Sequence, residues 1–200
     1  MFEIDPDLSE VRYEGSFLKL ETVAYRSSDG STLFRDIVRH PGAVVIIPYD
    51  ASRDEVLLIE QFRVALGRDV IELPAGKRDV LGEDPLDCAR RELMEELGLD
   101  AQSMVLLSTF YNTPGFCDEL TYLFLARGLR QGEISPQGAE ETAAVFRSIS
   151  LNDFEDHITK GTICDAKTII GLYSLASYLK TTVDEQVYVD DFELDRFRPL

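Results

Sequence analysis

The sequence is poor in the residues that bind zinc or form disulfide frameworks. It contains two histidines and three cysteines in 200 residues. Cys88, Cys117 and Cys164 do not have metal-ligand spacing, and an odd number of scattered cysteines is typical of a reducing compartment. With only His40 and His157 available, a zinc site is not expected.

Basic residues and long apolar runs are also scarce. There are 20 Lys and Arg residues against 37 Asp and Glu, which gives a formal net charge of −17. Because such a surface repels nucleic acid and anionic membranes, we expect neither as a partner. No apolar run reaches 18 residues, and no apolar segment follows a basic N-terminus. We therefore expect a soluble, cytoplasmic protein.

The apolar content is enough for one well-cored domain with a small appendage, since 44% of the residues are hydrophobic. The expected units are a β appendage over 1–40, a main domain over 41–182 and a C-terminal arm or tail over 183–200. Short apolar or β-rich runs predict strands over 17–25, 32–40, 43–48, 55–62, 70–73, 104–111, 120–126 and 143–149. Helices are predicted over 151–160 and 166–179. Residues 127–142 are predicted to form a long polar connection.

A helix is predicted inside the stretch 76–99. Asp84 can cap its N-terminus, Pro85 suits its first position and Gly98 supplies a left-handed stop. Apolar residues recur at helical spacing and form its core-facing side: Leu86, Ala89, Leu93 and Leu97.

The same helix carries more carboxylates than an isolated helix favours. Glu92 lies one turn from both Glu95 and Glu96, and each like-charge pair costs about 0.2–0.5 kcal/mol. These residues also lie toward the helix C-terminus, where the macrodipole disfavours anions. The carboxylates therefore either face solvent or bind a divalent cation, and oxygen ligands suit Mg²⁺ or Mn²⁺.

The stretch 76–99 resembles the Nudix box, which is Gly, five residues, Glu, seven residues, then Arg-Glu, an aliphatic residue, any residue, Glu-Glu, any residue, Gly and an aliphatic residue. Gly76 begins the match, Glu83 precedes seven residues, and Arg91 to Leu99 complete it without a mismatch. Six residues rather than five separate Gly76 from Glu83. This insertion falls in the loop before the helix, where added length is well tolerated.

Flanking motifs are similar to the ADP-ribose pyrophosphatase branch of that superfamily. They are Gln-Phe-Arg at 61–63, Glu-Leu-Pro-Ala-Gly at 72–76 and Thr-Pro-Gly-Phe at 113–116. The resemblance implies an α/β fold, a Nudix α/β/α sandwich with a mixed sheet plus an N-terminal antiparallel β appendage. It also implies a homodimer in which the appendage takes part.

The resemblance further implies the metal ligands. Glu92 and Glu96 are expected to be the principal ligands of Mg²⁺ or Mn²⁺, with Ala75 contributing its backbone carbonyl. Glu95 is a ligand or supports one, and we expect Arg91 to pair with it. Glu83 either binds the metal through water or only favours the start of the helix. The alternative for the whole set is a solvated acidic helix face.

A general base is expected from the loop that follows the box in this family. The candidates are Glu140 and Glu141, and the position of Glu141 just before the last predicted strand favours it. The alternative is an ordinary acidic loop.

The substrate is expected to contact cationic, polar and aromatic side chains. The candidates are Arg35, Asp36, Arg63, Glu72 and Phe116. Arg63 is expected to contact a phosphate, unless it is only a surface charge at a strand end. Arg35 could reach the site of a neighbouring subunit. Asp36 and Glu72 are candidates for adenine or ribose, and Phe116 for the terminal ribose, with structural roles as the alternative. The sequence leaves open whether Tyr25 or Phe34 stacks on adenine.

The expected activity is metal-dependent hydrolysis of ADP-ribose to AMP and ribose 5-phosphate. One alternative is a pyrophosphatase for another nucleoside diphosphate sugar, such as GDP-mannose. Another is a non-catalytic ADP-ribose sensor. The sensor is disfavoured because the acidic chain has neither a basic patch nor a helix-turn-helix pattern.

Overall fold

A small antiparallel sheet forms the N-terminal part of the molecule. The structure, a computed structural model, describes residues 2–132 and 144–184. Strands β1 (Glu3–Glu14), β2 (Lys19–Arg26) and β3 (Thr32–Arg39) pair in that order. The three-stranded sheet confirms the predicted β appendage, whereas its role as a separate unit stays a prediction.

The larger sheet contains seven strands within the described ranges. They are β4 (Ala43–Asp50), β5 (Glu55–Arg63), β6 (Arg68–Glu72), β7 (Ala75–Lys77), β8 (Leu99–Tyr111), β9 (Leu120–Gln131) and β10 (Val145–Ser150). The order is β10-β5-β4-β9-β8, with β6 paired to β5 and β7 paired to β4. β4 and β9 are parallel, and the other pairs are antiparallel. The predicted mixed sheet is therefore confirmed.

Strands β8 and β9 are longer than the apolar runs predicted. β8 begins at Leu99 rather than at residue 104, and β9 continues to Gln131. The two strands pair along this whole length, from Tyr111 with Leu120 to Leu99 with Gln131, so backbone hydrogen bonds extend the ladder through polar positions. The prediction of a connection was wrong for residues 127–131, and residues 133–143 lie outside the described part of the chain.

Helix α1 (Pro85–Leu97) has the predicted boundaries. The Asp84 side chain accepts a hydrogen bond from the Leu86 amide at 2.8 Å, and Gly98 adopts a left-handed conformation with φ of 63°. Two further helices follow, α2 (Phe154–Thr159) and α3 (Ala166–Asp184). Of the predicted arm over 183–200, the residues from 185 onward lie outside the described range.

The larger sheet lies between helices α1 and α3. Alternate residues of β4 point to opposite faces, and all but its last residue are buried. Val45 and Ile47 share a core with Leu172 of α3. Val44 and Ile46 belong to the core that contains apolar residues of α1, namely Cys88, Ala89, Leu93 and Leu97. This arrangement is the α/β/α sandwich that the sequence predicted.

The end of β3 is attached to the loop between β8 and β9 of the larger sheet. The Val38 amide donates to the Phe116 carbonyl at 2.7 Å, and the Asp118 amide donates to the Val38 carbonyl at 3.2 Å. Arg39 binds Asp118 at 3.1 Å and Glu21 at 2.8 Å. Among residues 2–132 and 144–184, no helix has the length and apolar character needed to span a bilayer.

Candidate active site

The site is built where α1 packs along β7. The Ala75 amide donates to Glu96 Oε2 at 2.9 Å, and Cys88 Sγ lies 3.6 Å from the Lys77 carbonyl oxygen. Between them, Gly76 packs directly against Glu92, and a Cβ on Gly76 would overlap the Glu92 carboxylate. Residues 88, 92 and 96 share one helix face. They meet residues 77, 76 and 75 of β7 in that order, so the helix and the strand run antiparallel and in register. The glycine lets the backbone approach the carboxylate closely.

A cleft of about 500 Å³ opens over this contact. It is lined by Phe17, His40, Ala43, Gln61, Arg63, Ala75, Gly76, Lys77, Asp79, Arg91, Glu92, Glu95, Glu96, Glu119 and Lys167. Glu92 and Glu96 are each only 8% exposed. The structure therefore brings together the predicted Ala75, Glu92, Glu95, Glu96 and Arg63.

Arg91 pairs with three carboxylates, two in α1 and one just before it. Its Nη1 donates to Glu92 at 2.8 Å and to Glu95 at 2.9 Å, while Nε and Nη2 donate to Glu83 at 2.9 and 3.0 Å. The predicted Arg91–Glu95 pair is confirmed. The hydrogen bond from Arg91 is the main cause that lowers the Glu83 pKa. Because one guanidinium bridges three carboxylates, the helix tolerates charges that would otherwise repel one another.

Arg63 and Glu72, two of the predicted substrate-binding residues, form one bidentate pair. Arg63 Nε and Nη2 donate to the two Glu72 oxygens at 2.8 and 2.6 Å. Glu72 is only 3% exposed, and its hydrogen bonds are the main cause that raises the Arg63 pKa. Glu72 thus fixes the orientation of Arg63 at the cleft.

The other predicted substrate-binding residues do not line this cleft. Arg35 lines a second cavity of about 330 Å³, where its guanidinium carbon lies 5.7 Å from the centre of the Tyr25 ring. Asp36 accepts a hydrogen bond from Thr22 Oγ1 at 2.7 Å, and Phe116 is 55% exposed in the loop after β8. Glu140 and Glu141 lie outside the described residues.

Sequence reasoning did not assign several residues that line the cleft. Phe17 comes from the turn between β1 and β2, and the centre of the Phe17 ring lies 4.6 Å from Lys77 Nζ. His40 accepts a hydrogen bond from the Gly42 amide through Nδ1 at 3.0 Å, and burial is the main cause that lowers its pKa. Gln61 and Lys167 come from distant parts of the chain. The Gln-Phe-Arg motif drew attention to Gln61, whereas no motif drew attention to Lys167.

The donor chemistry of the cleft fits a hard divalent cation. Glu92 and Glu96 offer carboxylate oxygens, Ala75 offers a backbone carbonyl, and Gly76 leaves room for the carboxylate beside it. Within residues 2–132 and 144–184, no three acidic, histidine or cysteine side chains are already arranged as a complete ligand set. The two helix carboxylates and the Ala75 carbonyl are the groups that would hold a cation.

Comparisons with known proteins agree with this geometry. A NUDIX domain model matches residues 38–170. The chain is 34% identical over 175 residues to a methanol dehydrogenase activator from Bacillus methanolicus, covering 88% of this chain and 94% of that protein. It is 32% identical over 163 residues to an ADP-ribose pyrophosphatase from Bacillus subtilis (strain 168), covering 82% and 87%. A GDP-mannose pyrophosphatase from Escherichia coli O139:H28 is 29% identical over 155 residues, covering 74% and 78%.

The chain therefore belongs to the Nudix family, and it is a Nudix hydrolase. Its similarity to ADP-ribose pyrophosphatases confirms the predicted branch. A solved structure titled as an ADP compounds hydrolase shares the fold, with a TM-score of 0.79 over 90% of this chain and 95% of the other at 20% identity.

Proposed function

We propose that this enzyme hydrolyses the diphosphate bond of ADP-ribose and releases AMP and ribose 5-phosphate with the help of Mg²⁺ or Mn²⁺. The observation that carries the proposal is the register of α1 with β7, in which Glu92 and Glu96 meet Gly76 and the Ala75 amide inside one cleft. Similarity to ADP-ribose pyrophosphatases supports the choice of substrate.

The residues of the cleft have separate tasks in this proposal. Glu92, Glu96 and the Ala75 carbonyl hold the cation, and Arg91 orients the carboxylates of Glu95 and Glu83 around it. When bound, the cation neutralises phosphate oxygens and lowers the pKa of the attacking water. Arg63 binds a phosphate, since its planar fork suits phosphate oxygens and Glu72 already fixes its position.

The remaining candidates complete the substrate contacts. Glu72, through Arg63, orients the diphosphate, while Arg35, Asp36 and Phe116 are proposed to contact adenine and ribose. Arg35 would do so at the site of a neighbouring subunit, because it lines the second cavity rather than the cleft of its own chain.

A base must accept the proton of the attacking water, and we propose Glu141 for this task. Glu141→Gln should lose turnover, whereas Glu140→Gln should retain it, because the amide keeps the shape of the side chain but cannot accept the proton. Steady-state rates of both variants over a pH series provide the measurement. The reverse pattern would assign the base to Glu140, and two active variants would refute a base in this segment.

The decisive experiment is a substrate panel assayed with and without EDTA. ADP-ribose, GDP-mannose and other nucleoside diphosphate sugars are incubated with the enzyme and Mg²⁺ or Mn²⁺, and products are separated by chromatography. GDP-mannose is the rival that the comparisons favour, since GDP-mannose pyrophosphatases are among the relatives. Preferred cleavage of GDP-mannose would make GDP-mannose the assigned substrate in place of ADP-ribose. Binding of ADP-ribose without cleavage would favour a non-catalytic sensor.

A matched pair of variants tests the cation site. Glu96→Gln should abolish turnover while the fold survives, because the substitution removes a charged ligand and keeps the side-chain volume. Glu155→Gln makes the same chemical change on the exposed side of α2 and should leave turnover unchanged. Rates are compared together with circular dichroism of each protein. Full activity of Glu96→Gln would overturn the assignment of the ligands.

A further inference from the structure

Lys167 is a cationic side chain of the cleft to which no role has yet been given. Lys167 belongs to the first turn of α3 and lines the same cleft as Arg63 and Glu96. Its Nζ is 2.7 Å from Asp165 Oδ1, and its side chain is 22% exposed. Lys167 is therefore held in place but still reaches solvent inside the cleft.

Asp165 holds this lysine from a fixed position. Its Oδ2 accepts hydrogen bonds from the Thr168 amide at 2.9 Å and from Thr168 Oγ1 at 2.8 Å. The Thr168 hydroxyl in turn accepts a hydrogen bond from the Leu73 amide at 2.9 Å. Because Leu73 lies two residues before Ala75, this chain of hydrogen bonds links Lys167 to the segment that leads into β7.

Glu72, the second carboxylate near Lys167, already has a partner. Both oxygens of Glu72 already bind Arg63, and Lys167 Nζ is 4.0 Å from the nearer one, which is beyond hydrogen-bond distance. Lys167 pairs with Asp165 Oδ1, whereas the two Thr168 donors bind the other oxygen of that carboxylate. Glu72 therefore does not need the lysine, and the charge of Lys167 lies beside that of Arg63 at the cleft.

Gln61 adds a polar side chain to the same cleft. Its side chain is only 5% exposed and lines the cleft. An amide can donate to or accept from an oxygen-rich group bound in the cleft.

We propose that Lys167 is a substrate-binding residue that donates a hydrogen bond to a phosphate oxygen of the diphosphate, and that Asp165 is the residue that positions its ammonium group. The assignment rests on the proposed function and deepens it. Lys167 supplies a compact charge with three donors, which complements the planar fork of Arg63 on the same anion. Together the two cations offset the repulsion between the diphosphate and the carboxylates of α1.

Steady-state kinetics with ADP-ribose test this assignment. Lys167→Met removes the charge and keeps most of the side-chain length, so KM should rise about tenfold or more, as expected for losing a hydrogen bond to a charged group. The value of kcat should change less than KM, because the contact is made in both the ground state and the transition state. Lys167→Arg should recover part of the loss. Asp165→Asn should raise KM less than Lys167→Met does.

The control is Lys160→Met, which removes an exposed lysine of an ion pair outside the cleft and should leave KM unchanged. Thermal unfolding of each variant separates binding from folding, and KM is compared at a temperature at which every variant is folded. A normal KM in Lys167→Met, with an active wild type, would overturn the assignment of Lys167 alone. A loss of activity that follows a loss of thermal stability, without recovery by arginine, would assign Lys167 to the fold. A wild type that cleaves no nucleoside diphosphate would overturn the proposed function as well.

Discussion

At the scale of single residues, Gly76 shows how a position without a side chain controls the chemistry of its neighbour. The Glu92 carboxylate occupies the space where a Cβ of residue 76 would stand. The same carboxylate accepts a hydrogen bond from Arg91 and is 8% exposed, so it has little freedom to move aside. Gly76 is thus part of the proposed cation site although it contributes no atom beyond its backbone.

Gly76→Ala should impair both folding and activity. Overpacking costs about 1–3 kcal/mol of the free energy of unfolding. A carboxylate displaced by about 1 Å can lower kcat/KM by about 100-fold. Urea unfolding and steady-state rates measure the two effects.

A double-mutant cycle with Glu92→Ala identifies the cause. If the Cβ acts through Glu92, Gly76→Ala should cost much less stability in the Glu92→Ala background, because the shortened side chain leaves room. Equal losses in the two backgrounds would show that the added methyl group acts on other parts of the fold.

At the scale of secondary-structure elements, α1 and its surroundings differ in how well the sequence predicts them. Asp84, Pro85 and Gly98 act within their own turn, so the boundaries of α1 follow from local chemistry. The three-residue strand β7 has no such local pattern, because it depends on pairing of Val44 with Gly76. The box therefore predicts the carboxylates but not the strand that supports them.

The wall of the cleft formed by Lys167 was missed for a related reason. The hydrogen bond between Leu73 and Thr168 joins residues 95 positions apart in the chain. Asp165, Lys167 and Thr168 by themselves resemble an ordinary helix start. Only the packing of α3 against the sheet brings them to the end of β6, and periodicity cannot predict such a contact.

Gly171 tests how closely α3 must pack to keep that wall in place. A Cβ on Gly171 would collide with Leu73 Cδ1, and Leu73 is 1% exposed. Alanine gains about 1 kcal/mol of helix propensity over glycine, whereas overpacking costs about 1–3 kcal/mol. We expect the packing loss to exceed the gain, so Gly171→Ala should lower the free energy of unfolding.

Ser177→Ala on the exposed side of α3 is the control for helix propensity alone. It should leave stability unchanged or raise it by about 0.5 kcal/mol. Thermal or urea unfolding of both variants makes the comparison. A Gly171→Ala protein more stable than the wild type would mean that Leu73 moves aside without cost.

At the scale of the whole molecule, the small sheet leaves apolar side chains in water. Ile4, Leu8 and Val11 of β1 are each at least half exposed. A sheet of this size needs an apolar face covered by other structure for stability. Ile4 and Val11 lie on the same face as Arg35, according to the register of the three strands. A covering surface there would lie beside the cavity that Arg35 lines.

The predicted homodimer would supply that cover, and sedimentation measures it directly. The wild type should sediment at about twice the monomer mass of 22.5 kDa. Val11→Glu should shift it toward the monomer, because the charge must be desolvated at the interface but not in the free chain. Ser28→Glu adds the same charge at the exposed hairpin turn and should remain dimeric. A monomeric wild type would refute the dimer, and an unchanged Val11→Glu dimer would exclude this face of β1 from the interface.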